Sequence, residues 1–135
     1  MLLTARAECF LTGHPDRFRE ALRRLQAYAE AGADVLFAPG VRRREEIREL
    51  VAALRPKPVN ILMSVNTGLK VANLAELGVR RISVGSSLAR AAWTGFLRAA
   101  RAIAAEGSFA GFDDTVPYSE LNCFFRDDLA RRASR

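Results

Sequence analysis

The sequence predicts an α/β fold in which a parallel sheet is wound from successive βα units, and three observations carry that prediction. Short, nearly all-apolar runs recur along the chain. Each is followed by a longer stretch whose apolar residues return at helical spacing. Glycine or proline stands at most of the junctions. The strand segments are short and lack the GxGxxG turn of a dinucleotide-binding unit, so an arc of a (β/α)8 barrel is favoured over a doubly wound sheet.

The first strand is expected over Leu2 to Ala7. The loop FLTGHPD follows, with Pro15 and Asp16 placed as helix-start signals. Phe18, Ala21, Leu22, Leu25, Tyr28 and Ala29 make the apolar stripe of the first helix, and Gly32 closes it. Ala33 to Ala38 is brief and apolar throughout, as a strand buried on both faces should be, and Pro39-Gly40 ends it. Ile47, Leu50, Val51 and Leu54 mark a second helix that stops before Pro56. Val59 to Met63 is the third strand. Val71, Leu74, Ala75 and Leu77 mark a short third helix closed by Gly78. Arg81 to Gly85 is the fourth strand, and a long alanine-rich helix runs from about Ser87 to Ala105. Residues 1–106 are thus expected as the half-barrel. Residues 107–135 are expected as an extension with a short amphipathic docking helix, carrying Tyr118, Leu121, Phe124 and Phe125, and a charged, frayed tail.

Composition narrows the function classes. The chain has 135 residues, enough for one core, and no stretch approaches the roughly 20 apolar residues of a membrane span. MLLTARAECF does not read as a signal peptide, because Arg6 and Glu8 interrupt it. Cys9 and Cys123 have no metal spacing and read as reduced thiols of a cytoplasmic protein. The net charge is +6, which raises nucleic acid as a partner. Arg42, Arg43 and Arg44 are followed at once by Glu45, Glu46 and Glu49, the pattern of a solvated helix face, and no aromatic residues interleave with the arginines. Neither nucleic acid nor a membrane is the expected partner.

Several ordered segments carry a resemblance: LLTARAECFLTGHPD, YAEAGADVLFAPGV, KPVNILM, LAELGVRRISVGSSLARAA, GSF and PYSELNCFF. From Leu2 to about Phe125 the chain resembles the C-terminal half of the isocitrate lyase / phosphoenolpyruvate mutase superfamily, and within it the branch of small isocitrate lyase / phosphoenolpyruvate mutase family proteins. The resemblance implies a TIM-type (β/α)8 barrel of which these strands are the fifth to the eighth. It implies enzymes that cleave C–C bonds of 2-hydroxy acids, or rearrange or cleave P–C bonds, through enolates of pyruvate or oxaloacetate held on Mg2+.

Active groups of such barrels lie at the C-terminal ends of the strands and in the loops beyond. The resemblance makes Arg6, in an ARTDA- or ARAE-type motif, the residue that holds a substrate carboxylate or phosphonate. A guanidinium fork suits that task. The alternative is an arginine paired structurally with Glu8. Glu8, two residues on, either orients Arg6 or touches a metal-bound water. Ser64, Asn66 and Thr67 follow the third strand and are expected either at substrate carboxylate oxygens or as turn formers. Asn60 lies inside that strand as a buried hydrogen-bonding residue. Gly85, Ser86 and Ser87 precede the long helix, where free N–H groups hold an anion or a serine caps the helix. At Gly40 the chain departs from the methylisocitrate lyase branch, which carries an acidic residue near that point. His14, the single histidine, has no partner at nucleophile or metal spacing and reads as a surface residue.

The family's metal site belongs to earlier strands, in a DxDxGYG-type motif and an ED pair, and its KxCGH-like cysteine loop precedes the fifth strand. None of these motifs is in this sequence, and the pairs Asp113-Asp114 and Asp127-Asp128 lie in the tail. The chain alone is therefore expected to bind no Mg2+ and to be inactive, with no catalytic or metal-ligating residue of its own. Met1 at the very start of a strand is what a shortened reading frame would show. The alternative is a non-catalytic half-barrel that pairs with its own copy or with a separate N-terminal half, since its edge strands need covering.

Overall fold

A computed structural model describes residues 1–133. The end of the expected charged tail, positions 134 and 135, lies outside the described residues. The chain divides into two compact units, Met1–Leu88 and Ala89–Arg135.

The first unit holds four parallel strands in the order β1-β2-β3-β4: β1 (Thr4–Arg6), β2 (Val35–Phe37), β3 (Val59–Leu62) and β4 (Arg81–Ser83). Helices α1 (Arg17–Glu30), α2 (Arg44–Ala53) and α3 (Val71–Glu76) make the crossovers. The strands are shorter than the apolar runs that announced them. Backbone bonds nevertheless continue past their ends, from Ala7 N–H to the Phe37 carbonyl (2.9 Å) and from Met63 N–H to the Ser83 carbonyl (2.8 Å). Gly32 and Gly78 follow α1 and α3 with φ of 98° and 86°, the left-handed geometry that closes a helix.

The two faces of the sheet differ. Paired residues of a parallel ladder point to the same side, and successive residues alternate. Ala5, Leu36, Val59, Ile61 and Ile82 share one side. They pack with Ala21 and Leu25 of α1, Ile47, Leu50 and Val51 of α2, and Leu74 of α3 in a single hydrophobic core. All three crossover helices thus cover the same face. A doubly wound sheet would place helices on both, whereas one-sided coverage is what a barrel arc requires. The other face carries Arg6, Phe37, Asn60 and Arg81 in one row, joined through the pairs Arg6–Phe37, Phe37–Asn60 and Asn60–Arg81.

In the second unit, α4 (Ser87–Glu106) starts at the end of the first unit and continues into a 3-10 turn, Ala110–Phe112, and α5 (Tyr118–Ala133). The last helix is 16 residues long. It runs on through the charged stretch expected as a frayed tail. Neither α4 nor α5 contains a buried residue. No helix is long and apolar enough to cross a membrane among the described residues.

Candidate active site

The helix-free face of the sheet gathers the chemistry. Arg6 is the last residue of β1, and its guanidinium lies 5.2 Å from the centroid of the Phe37 ring. Phe37 is almost wholly buried, so the cation rests on a fixed aromatic surface. The Glu8 carboxylate forms an ion pair with the Arg6 Nε. Both side chains are about half exposed, at 48% and 43%. The ion pair occupies one edge of the guanidinium and orients the group, and the exposed remainder still presents donors to an oxyanion. Of the two alternatives for Arg6, the structural pairing is present, and it leaves room for the other.

Two strands further along the same row, Asn60 is fully buried. Its Nδ2 donates to the Ser83 hydroxyl at 3.0 Å, while Oδ1 has no hydrogen-bond partner among the described residues. Exchanging the amide oxygen and nitrogen would let Ser83 donate but would strand an N–H instead, so one amide group stays unpaired either way. The interior of such a barrel is ordinarily filled by branched apolar residues, which makes this amide a polar exception on the site-bearing face.

The polar residues after β3 take up local work. The Asn66 side-chain oxygen accepts from the Gly68 N–H at 2.9 Å, and Thr67 Oγ accepts from the Leu69 N–H at 3.4 Å. Both therefore shape the turn before α3. The Ser87 hydroxyl donates to the Ser64 carbonyl at 3.1 Å, joining the first turn of α4 to the loop after β3. Gly85 turns the chain there with φ of 55°, and Ser86 is exposed beside it. Arg6 and Glu8 are thus brought together at β1, and Ser64, Gly85, Ser86 and Ser87 at the ends of β3 and β4.

Gly40 explains its own departure from an acidic residue. Its φ is 100°, and a Cβ placed on it would lie 2.6 Å from the Phe10 Cβ. The loop after β2 packs so tightly on the loop after β1 that no side chain fits. His14 sits in that first loop and accepts the Asp16 N–H on Nδ1 at 3.2 Å. Asp16 occupies the position before α1 without capping it by a side-chain hydrogen bond.

Glu8 is engaged by Arg6, and no group of three or more His, Cys, Asp or Glu side chains could hold a metal ion among the described residues.

The pairing of Arg6 with Glu8 was one of the readings the sequence offered, whereas the contact of Arg6 with Phe37 was not anticipated. Its signal was available only through register, since nothing along the chain says that residue 37 stands beside residue 6.

Known proteins are similar to this chain in sequence and fold. The sequence profile of the phosphoenolpyruvate phosphomutase family matches residues 1–104. An uncharacterized protein of Mycobacterium tuberculosis (strain ATCC 25618 / H37Rv) is 36% identical over 122 residues, covering 90% of this chain and 45% of that protein. The crystal structure of a lyase/mutase candidate from Burkholderia cenocepacia J2315 superposes with a TM-score of 0.83 at 44% identity, over 91% of this chain and 44% of the other. The structure of 2,3-dimethylmalate lyase, at 22% identity, shares the fold with a TM-score of 0.73 over 98% of this chain and 47% of its own. The chain spans about half the length of the relatives it matches. Its four-stranded sheet with one-sided helices matches half of that superfamily's barrel, and the chain belongs to the phosphoenolpyruvate mutase / isocitrate lyase superfamily.

Proposed function

We propose that this chain supplies the anion-holding part of a Mg2+-dependent lyase or mutase that makes or breaks a C–C or C–P bond in small 2-oxo or 2-hydroxy acids by way of an enolate. The observation that carries the reading is the placement of Arg6. It stands at the C-terminal end of a parallel strand, on the helix-free face, stacked on Phe37 and oriented by Glu8. In this reading β1 to β4 are strands five to eight of the complete barrel, and Arg6 binds a carboxylate or phosphonate. Gly85, Ser86 and Ser87 form the rim with Ser64. The metal ligands lie outside this chain, because its own carboxylates are dispersed or already paired. The working protein is cytoplasmic and the barrel is completed by a further segment or subunit.

Two measurements test it. The isolated chain, assayed with Mg2+ for pyruvate or oxaloacetate release, should show no turnover, and measurable turnover would overturn the division of labour. In a protein that unites this chain with a metal-binding half, Arg6→Ala should lower kcat/KM by at least about 100-fold, as loss of a charge-assisted bidentate contact does. Unchanged kinetics would remove Arg6 from the site.

A second reading has its own support. Among the described residues β1 and β4 each have one neighbour in the sheet, and Trp93, Phe96, Phe124 and Phe125 are each at least 60% exposed. Such features suit a half-barrel that serves as an interaction module, closing on its own copy or on a separate half. Size-exclusion chromatography separates the two, since a clean monomer would count against self-pairing.

A further inference from the structure

A second cluster of cations lies away from Arg6. The loops after β1 and β2 enclose a cavity of about 310 Å3 lined by Arg17, Arg42, Arg43 and Glu46, with Phe10 and Leu11 as its apolar wall. Arg6 is not part of it. Arg17 is the first residue of α1, and Arg42 and Arg43 immediately precede α2, so two helices of 14 and 10 residues begin at this cavity. Neither start is capped by a side-chain hydrogen bond. The three guanidinium groups face one carboxylate. Glu46, nearly buried, is held by Arg43 at 2.5 Å and is thereby committed. The Arg17 guanidinium lies over the Phe10 ring at 5.2 Å, which positions the group, and the residue is exposed. Neither Arg17 nor Arg42 has a carboxylate within ion-pair distance among the described residues.

We propose that this cavity is an anion site for a phosphoryl dianion. Two uncommitted guanidinium groups reach it from different loops, so together they can contact several oxygens of a tetrahedral dianion at once. The amino-terminal ends of two helices add partial positive charge in the same place. Mutual repulsion among the arginines makes the empty cavity the less favourable state, and a dianion removes it. The inference does not depend on the role proposed for Arg6.

The test is calorimetric titration of the full chain with inorganic phosphate at constant ionic strength. Saturable one-to-one binding is expected. The double variant R17Q/R42Q should weaken it by at least about tenfold, since it removes two charge-assisted contacts. R42E, a surface charge reversal that leaves the Arg17–Phe10 contact intact, should weaken it as well. R6Q should leave it unchanged, which separates this site from the proposed substrate site. Arg43 is left alone because its loss would strand the buried Glu46. A parallel titration with glycerol 3-phosphate distinguishes the sources of the phosphoryl group. Binding at least as tight as phosphate identifies an organic ester, and binding of phosphate alone identifies the free anion. Phosphate affinity unaltered in both R17Q/R42Q and R42E, affinity lost in R6Q, or no saturable binding at all would overturn the proposal.

Discussion

The two units of the chain use their apolar residues in opposite ways. Met1–Leu88 hides Leu36, Ile61, Leu25, Ile47, Leu50 and Leu74 in one core shared by the sheet and its three crossover helices. Within Ala89–Arg135 no described residue is buried, although Trp93, Phe96, Phe112, Phe124 and Phe125 all belong to it. Both units are helical where the sequence is periodic, so helix formation is not what separates them. The difference is what the apolar stripe is given to pack against. Helices α1 to α3 meet a sheet whose facing residues are branched and apolar. Helices α4 and α5 have apolar side chains of the same kind, and none of them is buried among the described residues. Helical periodicity therefore predicts an element but not its burial, because burial needs a complementary surface.

Substitutions can break or sharpen this contrast. The largest effect is expected in the core. Leu36→Ala, at a fully buried position of β2, should lower unfolding free energy by about 2–5 kcal/mol in urea denaturation. A loss near zero would mean that the sheet–helix core contributes little. Next comes Gly40→Ala, where a left-handed φ and the Phe10 contact combine. A cost of about 1–3 kcal/mol is expected from the same measurement. Phe124→Ala in α5 should fall within about 0.5 kcal/mol, as exposed positions do. A cost comparable with Leu36→Ala would show that α5 is packed in solution and would erase the contrast.

The smallest expected effect is electrostatic. Side-chain hydrogen bonds from Arg23 and then Arg24 lower the Glu20 pKa from the ordinary 4.5 to about 2. A carboxylate with a depressed folded pKa contributes stability above its unfolded value and loses it as pH falls. The Glu20 contribution should therefore fade between about pH 4.5 and pH 2. NMR titration should place its midpoint near the lower figure, and Glu20→Gln should flatten the stability profile in that window. An ordinary midpoint would mean that the two arginines leave Glu20 for solvent.

Much of the fold was legible because its signals are local. Apolar runs gave the four strands, and periodic stripes with Gly32 and Gly78 gave α1 and α3. The strand ends were overestimated because an apolar residue such as Leu2 satisfies a strand pattern without belonging to the ladder. The site was legible only in part. Arg6 and Glu8 are neighbours in sequence, so their pairing could be anticipated. The Arg6–Phe37 and Asn60–Ser83 contacts cross strands separated by whole βα units, and register decides them. The α2 segment was legible in part. Arg42, Arg43 and Arg44 beside three glutamates read as a solvated helix face with local ion pairs, and Arg43 does pair with Glu46, while Arg44 reaches across to Glu76 at 3.7 Å. Arg42 is left over, in a cavity that a one-dimensional charge pattern cannot reveal.

The contact between Gly40 and Phe10 also has a bearing on how such chains could diversify. Residue 40 cannot acquire a side chain while the Cβ of residue 10 stays where it is, so the two positions behave as one heritable character. Any lineage that gains a carboxylate at 40 must first, or at the same step, lose or displace that Cβ. An engineer wishing to restore an acidic group there would find Gly40→Glu disabling by itself. Only with Phe10→Gly, which removes the opposing Cβ itself, would the contact go, leaving the unfavourable φ to absorb. Loop-to-loop clearance, rather than the chemistry of either residue, would then set the order in which a new specificity can be reached.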